Sequence, residues 1–206
     1  MTEIRNIIFD LGGVLLDLDF DKTVKAFSEM GFTPEMYQFD QKHSRYFLKF
    51  ETGKITPVDF KNEIREIMNK KDLSNDVLDK AWNAMILGFQ PEKIELLKKL
   101  AKTHRIFLLS NTNVQHEKVY SRMLKEVSGL EMKDLFEKYY YSHKVGLAKP
   151  DPAIFQLVLN ENDLKPEETL YIDDSQQHID SAQKLGMQGF LFPPNGDLKE
   201  ILTIIQ

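Results

Sequence analysis

Asp10 closes the apolar run Ile4–Phe9 and opens the turn Leu11-Gly12-Gly13-Val14. An apolar run ending in a carboxylate and two glycines puts charge at the carboxyl end of a strand, the crevice where open α/β sheets bind ligands. The glycines let backbone N–H groups approach an anion with no Cβ in the way. Alone, Asp10 could equally be a turn residue. Three further stretches change that balance: Ile106-Phe107-Leu108-Leu109 ends in Ser110-Asn111-Thr112-Asn113, Lys149 stands in Gly146-Leu147-Ala148-Lys149-Pro150-Asp151-Pro152, and Leu170-Tyr171-Ile172 ends in Asp173-Asp174. A carboxylate, a hydroxyl, a lysine and an acidic pair, mostly at strand ends of one sheet, make a phosphate and metal site.

Those groups need a sheet to carry them. From Gln90 onward, helical patterns alternate with short apolar runs, which predicts βαβ units and a parallel sheet. Strands are expected at Arg105–Leu109, Tyr139–Tyr141, Thr169–Ile172 and Phe190–Phe192. Helices are expected from Pro91, over Val114–Val127, Ala153–Asn160 and His178–Leu185, the last stopped by Gly186. Between Asp17 and about Phe89 no strong strand signal occurs. Asp21–Met30, Pro34–Lys49, Pro57–Asn69 and Asn75–Leu87 all read as helices, with proline or small polar residues at their starts. The expected fold is α/β: a doubly wound, parallel-sheet (Rossmann-like) core of residues 1–16 and 90–206, with residues 17–89 as an inserted α-helical cap. Phe27, Tyr46, Phe47, Phe50, Phe60 and Trp82 are expected to fill mainly that insertion's core.

The 206 residues, 42% of them hydrophobic, suffice for a sizeable core, and the formal net charge is −5. Acidic and basic residues are mixed, which argues against nucleic-acid binding. The absence of cysteine excludes disulfides, thiolate zinc sites and cysteine nucleophiles. No apolar stretch approaches bilayer length, so no membrane partner is expected. The polar start Met1-Thr2-Glu3 does not resemble a signal segment, so a cytoplasmic location is expected. His43, His104, His116 and His143 show no paired metal spacing.

The four stretches resemble, in order and spacing, the four motifs of haloacid dehalogenase-like hydrolases, and the helical insertion falls where that family carries a cap. The string Phe9-Asp10-Leu11-Gly12-Gly13-Val14-Leu15-Leu16-Asp17-Leu18-Asp19-Phe20, with Ser110-Asn111-Thr112-Asn113, is most similar to the sugar-1-phosphate (glucose-1-phosphatase-like) branch. The resemblance implies a phosphatase acting on a small phosphorylated metabolite, as a monomer or weak homodimer, with Mg²⁺ as cofactor. Asp10 would attack phosphorus to form an aspartyl-phosphate, Lys149 would stabilise charge on the phosphoryl group, and Ser110 would donate to a phosphate oxygen. Leu11, Gly12 and Asn111 would complete the phosphate contacts. Asp10, the Gly12 carbonyl and Asp174 would hold Mg²⁺, with Asp173 a fourth ligand or a partner behind the ligands.

One departure matters. The family's phosphatases usually carry a second Asp two residues after the nucleophile, to protonate the leaving alcohol and then activate water. Gly12 stands there. Such acid–base groups contribute about 10²–10⁴-fold, so esters of the more acidic anomeric hydroxyl are expected to be favoured. Asp17, Asp19 and His178 are candidates to assist; His178 also stands where the family often has a further acid. Arg45, Lys49 and the turn Glu51-Thr52-Gly53-Lys54 are the insertion's polar candidates for substrate choice. The alternatives are a mutase, a dehalogenase and a catalytically dead phosphate-binding module. The mutase leans on the missing acid, the dehalogenase leaves Asp173-Asp174 unexplained, and the dead module would bind ligand without releasing phosphate.

Overall fold

The computed structural model describes residues 3–32 and 41–205. Its strands are β1 (Asn6–Phe9), β2 (Leu16–Leu18), β3 (Ile86–Phe89), β4 (Arg105–Ser110), β5 (Lys138–Tyr141), β6 (Thr169–Asp173) and β7 (Gln188–Leu191). Its helices are α1 (Phe20–Glu29), α2 (Gln41–Glu51), α3 (Pro57–Ile67), α4 (Asn75–Asn83), α5 (Pro91–Leu100), α6 (Val114–Ser128), α7 (Met132–Leu135), α8 (Ser142–Val145), α9 (Pro152–Glu161) and α10 (Gln176–Lys184).

β1, β4, β5, β6 and β7 pair in parallel in the order β5-β4-β1-β6-β7. The near-continuous apolar runs follow from this, because a parallel sheet is covered on both faces. Successive residues of β1 face opposite layers. Ile7 and Phe9 join Leu108, Tyr120, Leu124 and Ile94 on one side, while Ile8 joins Phe107, Tyr171, Phe155 and Val158 on the other. The chain leaves β1 for β4 and β5 on one flank and later fills β6 and β7 on the other. The strand order therefore reverses at β1, and the carboxyl ends of β1, β4 and β6 form the crevice at the switch point. Asp10, Ser110 and Asp173 sit there.

α1–α4 follow β2 and precede β3. They enclose their own core of Phe27, Phe32, Phe50, Phe60, Ile64, Met68, Leu78 and Ala81. The rings of Phe50 and Phe60 stack at 4.2 Å, and Trp82 meets Phe60 edge-on at 4.7 Å. α3 begins with a capping box in which Thr56 and Asp59 satisfy each other's backbone N–H groups, and Pro57 occupies the first turn. The expected helix Pro34–Lys49 is seen as α2, Gln41–Glu51; residues 34–40 lie outside the described residues.

The expectation of helix over Asn75–Leu87, with no strand before Phe89, is corrected. α4 ends at Asn83, and Ile86–Phe89 forms β3, antiparallel to β2. Strands of three and four residues are too short to display alternation. Gly88, at φ +127°, and a bulge at Asp17/Leu18 interrupt what pattern there is. The two chain crossings between sheet and helices thus run side by side. Asp17 on β2 is held by Lys93 Nζ at 2.8 Å and by Gln90 Nε2 at 2.7 Å, both at the start of α5.

A second seam joins α4 to α6. Lys61 on α3 pairs with Asp79 at 2.9 Å, Gln115 on α6 donates to the same carboxylate, and His116 stacks on Trp82 at 5.1 Å. The His116 Nε2 donates to the Trp82 carbonyl at 3.2 Å. Burial nevertheless pushes the His116 pKa down to about 4. The folded protein keeps this ring neutral where the unfolded chain, at about 6.5, takes up a proton. Its contribution is intact above pH 6.5 and is lost as pH falls towards 4, up to about 3 kcal/mol. Urea titrations of the wild type and His116→Phe at pH 7 and pH 4.5 test this. The wild type is expected to lose more stability on acidification than the variant; equal losses would show that this ring does not titrate as described.

Candidate active site

Burial at the sheet's switch point leaves little room for uncompensated charge, and the polar groups there are arranged around one ammonium. The Lys149 Nζ lies 2.8 Å from Asp10 Oδ1 and 2.7 Å from Asp173 Oδ2, and donates to the Leu109 carbonyl at 3.1 Å. All three of its protons are thereby used. Lys149 is only 4% exposed, Asp10 7% and Asp173 0%. The Asn111 side chain fixes the lysine backbone, accepting from the Lys149 N–H at 2.9 Å and donating to its carbonyl at 2.8 Å. Motif neighbours in the chain thus become neighbours in space: the residue after Ser110 holds the residue that grips Asp10.

Asp10 continues β1, its N–H donating to the Ile172 carbonyl at 2.8 Å, while its Oδ1 accepts from the Leu11 N–H at 2.7 Å. Asp173 also accepts from the Ser175 N–H at 2.8 Å, from His178 Nδ1 at 2.9 Å and from the Tyr171 hydroxyl. Its oxygens are therefore largely committed to positioning Lys149. Asp174 is more exposed and carries no such set. A Cβ on Gly13, whose φ is +76°, would fall 2.1 Å from Asp174 Oδ2, so glycine is required there for two independent reasons.

Ligand oxygens of Asp10, Asp173 and Asp174 all lie within 4.8 Å of one another. Three carboxylates face one lysine. Burial raises the Asp10 pKa to about 6, with Asp173 adding to the rise against the pull of Lys149. Burial and the neighbouring Asp173 likewise raise Asp174, whereas in Asp173 burial is outweighed by Lys149 and His178, which hold it well below the usual range. The surplus of negative charge and the all-oxygen donor set fit a hard divalent cation such as Mg²⁺.

Ser110 is buried, and its hydroxyl makes only a 3.5 Å contact with the Asn111 carbonyl, which leaves it available to an anion. Ser110 is not needed to cap α6, because Asn113 does so, its Oδ1 accepting from the N–H groups of Gln115 and His116. Sequence reasoning missed Ser142 and Tyr171, and singled out His178 for a different role. Ser142 is fully buried and its Oγ both accepts from the Thr112 N–H at 2.9 Å and donates to the Thr112 carbonyl at 3.0 Å. Tyr171 and His178 anchor Asp173. The strand-internal position of Tyr171, two residues before an acid on the same face, was the available signal.

The groups considered as substitutes for the absent acid are occupied. Asp17 is tied to Lys93, Asp19 caps α1 by accepting from the Asp21 N–H, and His178 is bound to Asp173. Gly12 itself is overlaid by Leu18, whose Cδ1 would lie 2.7 Å from an added Cβ. Of the insertion's polar candidates, Lys49 and Lys54 are exposed, and the Arg45 side chain lies outside the described residues. The Glu51–Lys54 turn does reach the core: a Cβ on Gly53 would fall 2.2 Å from the His143 carbonyl on α8.

Residues 7–192 match the family of haloacid dehalogenase-like hydrolases. A D-ribitol-5-phosphate phosphatase from Bacteroides thetaiotaomicron is 31% identical over 204 residues, covering 98% of each chain. A crystal structure of a HAD family enzyme from the same organism, in complex with magnesium and inorganic phosphate, superimposes with a TM-score of 0.87 at 36% identity, covering 96% of this chain and 98% of that one. The structure of a predicted HAD-like family hydrolase from Porphyromonas gingivalis gives a TM-score of 0.88 at 31% identity, covering 100% and 99%.

Replacing Lys149 by Met would leave two buried carboxylates without their cation. Breaking a buried pair in this way costs about 3–5 kcal/mol. Urea denaturation in the presence of a chelator is expected to show a loss of that size; a loss below about 1 kcal/mol would mean that surrounding dipoles, not Lys149, balance the charge.

Proposed function

The chain belongs to the haloacid dehalogenase-like hydrolase family, and we propose that it is a Mg²⁺-dependent phosphomonoester phosphatase acting on a small sugar or polyol phosphate, sugar 1-phosphates being favoured. The observation that carries this reading is the Lys149 ammonium bridging Asp10 and Asp173 at the sheet's switch point, with Asp174 beside them. The phosphatase named among its relatives, similar over nearly the whole chain, supports the same reaction class.

In this reading an oxygen of Asp10 attacks phosphorus in line with the ester bond, giving an aspartyl-phosphate and the free alcohol. Water then attacks the same phosphorus, releases inorganic phosphate and restores Asp10. Lys149 holds the nucleophile in one orientation and places positive charge beside the transferring group. Ser110 donates its free hydroxyl to a phosphoryl oxygen, and the backbone at Leu11 and Asn111 completes the cradle. Charge on the phosphoryl oxygens is what a Mg²⁺ held by Asp10, the Gly12 carbonyl and Asp174 would neutralise. Residues 1–16 and 90–206 form the catalytic core in this reading. Residues 17–89 act as a cap that excludes water and contacts the substrate's organic part.

Gly12 sets the order among esters. With no side chain there to protonate the leaving oxygen, the departing group's own acidity governs the first step. An anomeric hydroxyl is more acidic than a primary sugar alcohol, which supports sugar 1-phosphates. A second reading is favoured by the Bacteroides relative, which is named for a 5-phosphate of an acyclic polyol.

Phosphate release from glucose 1-phosphate, glucose 6-phosphate and ribitol 5-phosphate tests these readings together. The expected result is activity abolished by chelator and by Asp10→Asn, with kcat/KM highest for the 1-phosphate. Ribitol 5-phosphate turned over best would transfer the assignment to polyol phosphates. Activity that survived Asp10→Asn would remove the phosphatase mechanism.

A further inference from the structure

We propose that the cleft between the β2–β3 ribbon and residues 192–198 receives the alcohol part of the ester, and that Leu18, the wall of this cleft beside Gly12, determines which alcohols leave. This inference rests on the phosphatase reading above and deepens it.

The cleft has a volume of about 680 Å³, and Gly13 and Asp174 line it, so it is continuous with the carboxylate cluster. Small-molecule sites usually measure roughly 300–1,000 Å³. Leu18, Phe20 and Leu87 line the cleft from the insertion, and Asn195 lines it from the loop after β7. Phe20 is 60% exposed and Leu87 46%. Large apolar side chains left in water beside a charged cluster offer surface that a ligand's carbon skeleton would cover. Inorganic phosphate has no carbon to place there; the alcohol of an ester does. Asn195, at φ +58° in the left-handed region that asparagine tolerates, brings an amide to the same space. A sugar, whose C–H groups would cover Phe20 and Leu87 while its hydroxyls reach Asn195 and water, matches this mixed lining.

The two sides of the cleft are tied together by one lysine. Lys93 holds Asp17 of the ribbon at 2.8 Å, and its ammonium stands 5.9 Å from the centre of the Phe192 ring in the opposite loop. All three residues line the cleft, so its width is set before a ligand arrives.

Leu18 links the cleft to the reacting atoms. Its Cδ1 lies 2.7 Å from where a Cβ on Gly12 would stand, two residues from the nucleophile. Gly12, unlike Gly13, is outside the left-handed region, so its backbone would accept a side chain. What fills the space is Leu18, held by the pairing of β2 with Ile86 and by packing against the main core. The place from which a proton would reach the leaving oxygen is therefore occupied by a methyl group. An alcohol seated in the cleft meets no proton donor there, and those that depart as the more stable anions are released fastest.

The test has two arms. In the first, Phe20→Ala and Leu87→Ala are assayed on whichever of glucose 1-phosphate, glucose 6-phosphate and ribitol 5-phosphate is turned over best, with inorganic phosphate as competitive inhibitor. Both side chains are exposed, so the thermal midpoints should stay near that of the wild type. KM is expected to rise by about tenfold or more while the inhibition constant of phosphate holds. An unmoved KM, or an inhibition constant that rises in step with it, would overturn the cleft as the alcohol's place.

The second arm compares Gly12→Asp alone with Gly12→Asp combined with Leu18→Val, which withdraws the colliding Cδ1 yet keeps a β-branched residue in β2. The readout is kcat/KM on the better of glucose 6-phosphate and ribitol 5-phosphate, divided by that on p-nitrophenyl phosphate, whose phenolate needs no proton to depart. In the combined variant the introduced carboxyl has room to face the leaving oxygen, and the ratio is expected to rise by about tenfold or more; in Gly12→Asp alone it should not rise. A ratio equal in the two variants, raised or not, would overturn the role of Leu18. Failure of the wild type on every sugar and polyol ester would overturn the whole proposal. Asp10-dependent hydrolysis of p-nitrophenyl phosphate would in that case leave the phosphatase reading standing, so the two claims fail separately.

Discussion

A single buried ammonium shared by two buried carboxylates organises this protein. Lys149 reaches Asp10 and Asp173 from between β4 and β6, and each of its protons is spoken for. Desolvation makes that arrangement costly, and it is stable only because further hydrogen bonds from Tyr171, Ser175 and His178 complete Asp173. The consequence for chemistry is asymmetry between two acids. Asp173, surrounded by donors, stays ionised and acts as a fixed anchor. Asp10, raised to about 6 by burial and then by the carboxylate of Asp173 against the pull of Lys149, has fewer donors and stands at the crevice. Environment assigns the two roles, as it does wherever neighbouring carboxylates diverge.

Much of this was legible in the sequence because it lives in short, strongly apolar segments. All five strands of the parallel sheet, and the acids that end β1 and β6, were readable, since a strand buried on both faces leaves a run of apolar residues with a polar full stop. The ribbon of β2 and β3 was not readable: three or four residues cannot display a period, and Gly88 obscures what there is. The bracing of the site was also hidden. Ser142 looks like an ordinary residue of a helix start, and only the folded arrangement brings it to the Thr112 backbone; Tyr171 was marked only by its place two residues before Asp173 on one strand face. Contacts between segments far apart in the chain leave no mark on local pattern.

The insertion shows how division of labour follows from chain order. The sheet's end of the crevice is fixed, since Asn111 and Ser142 lock the loops to one another. The helices of residues 17–89 meet that rigid edge at the Trp82–His116 stack and at Gly53. Chemistry common to every phosphate ester can then be carried by the core, while whatever distinguishes one alcohol from another is left to side chains on the insertion. Leu18 overlying Gly12 fits the same division, because it closes the core position from which a proton would otherwise come.

The claim at the centre is that Asp10 itself carries phosphate during turnover. Rapid acid quench of the Mg²⁺-loaded enzyme mixed with a radiolabelled phosphate ester addresses it directly. The account predicts label on the protein within the first turnover, released by hydroxylamine, recovered on the peptide containing Asp10 and absent from Asp10→Asn. Phosphate release that proceeds at full rate with no label on that peptide at any quench time would contradict it.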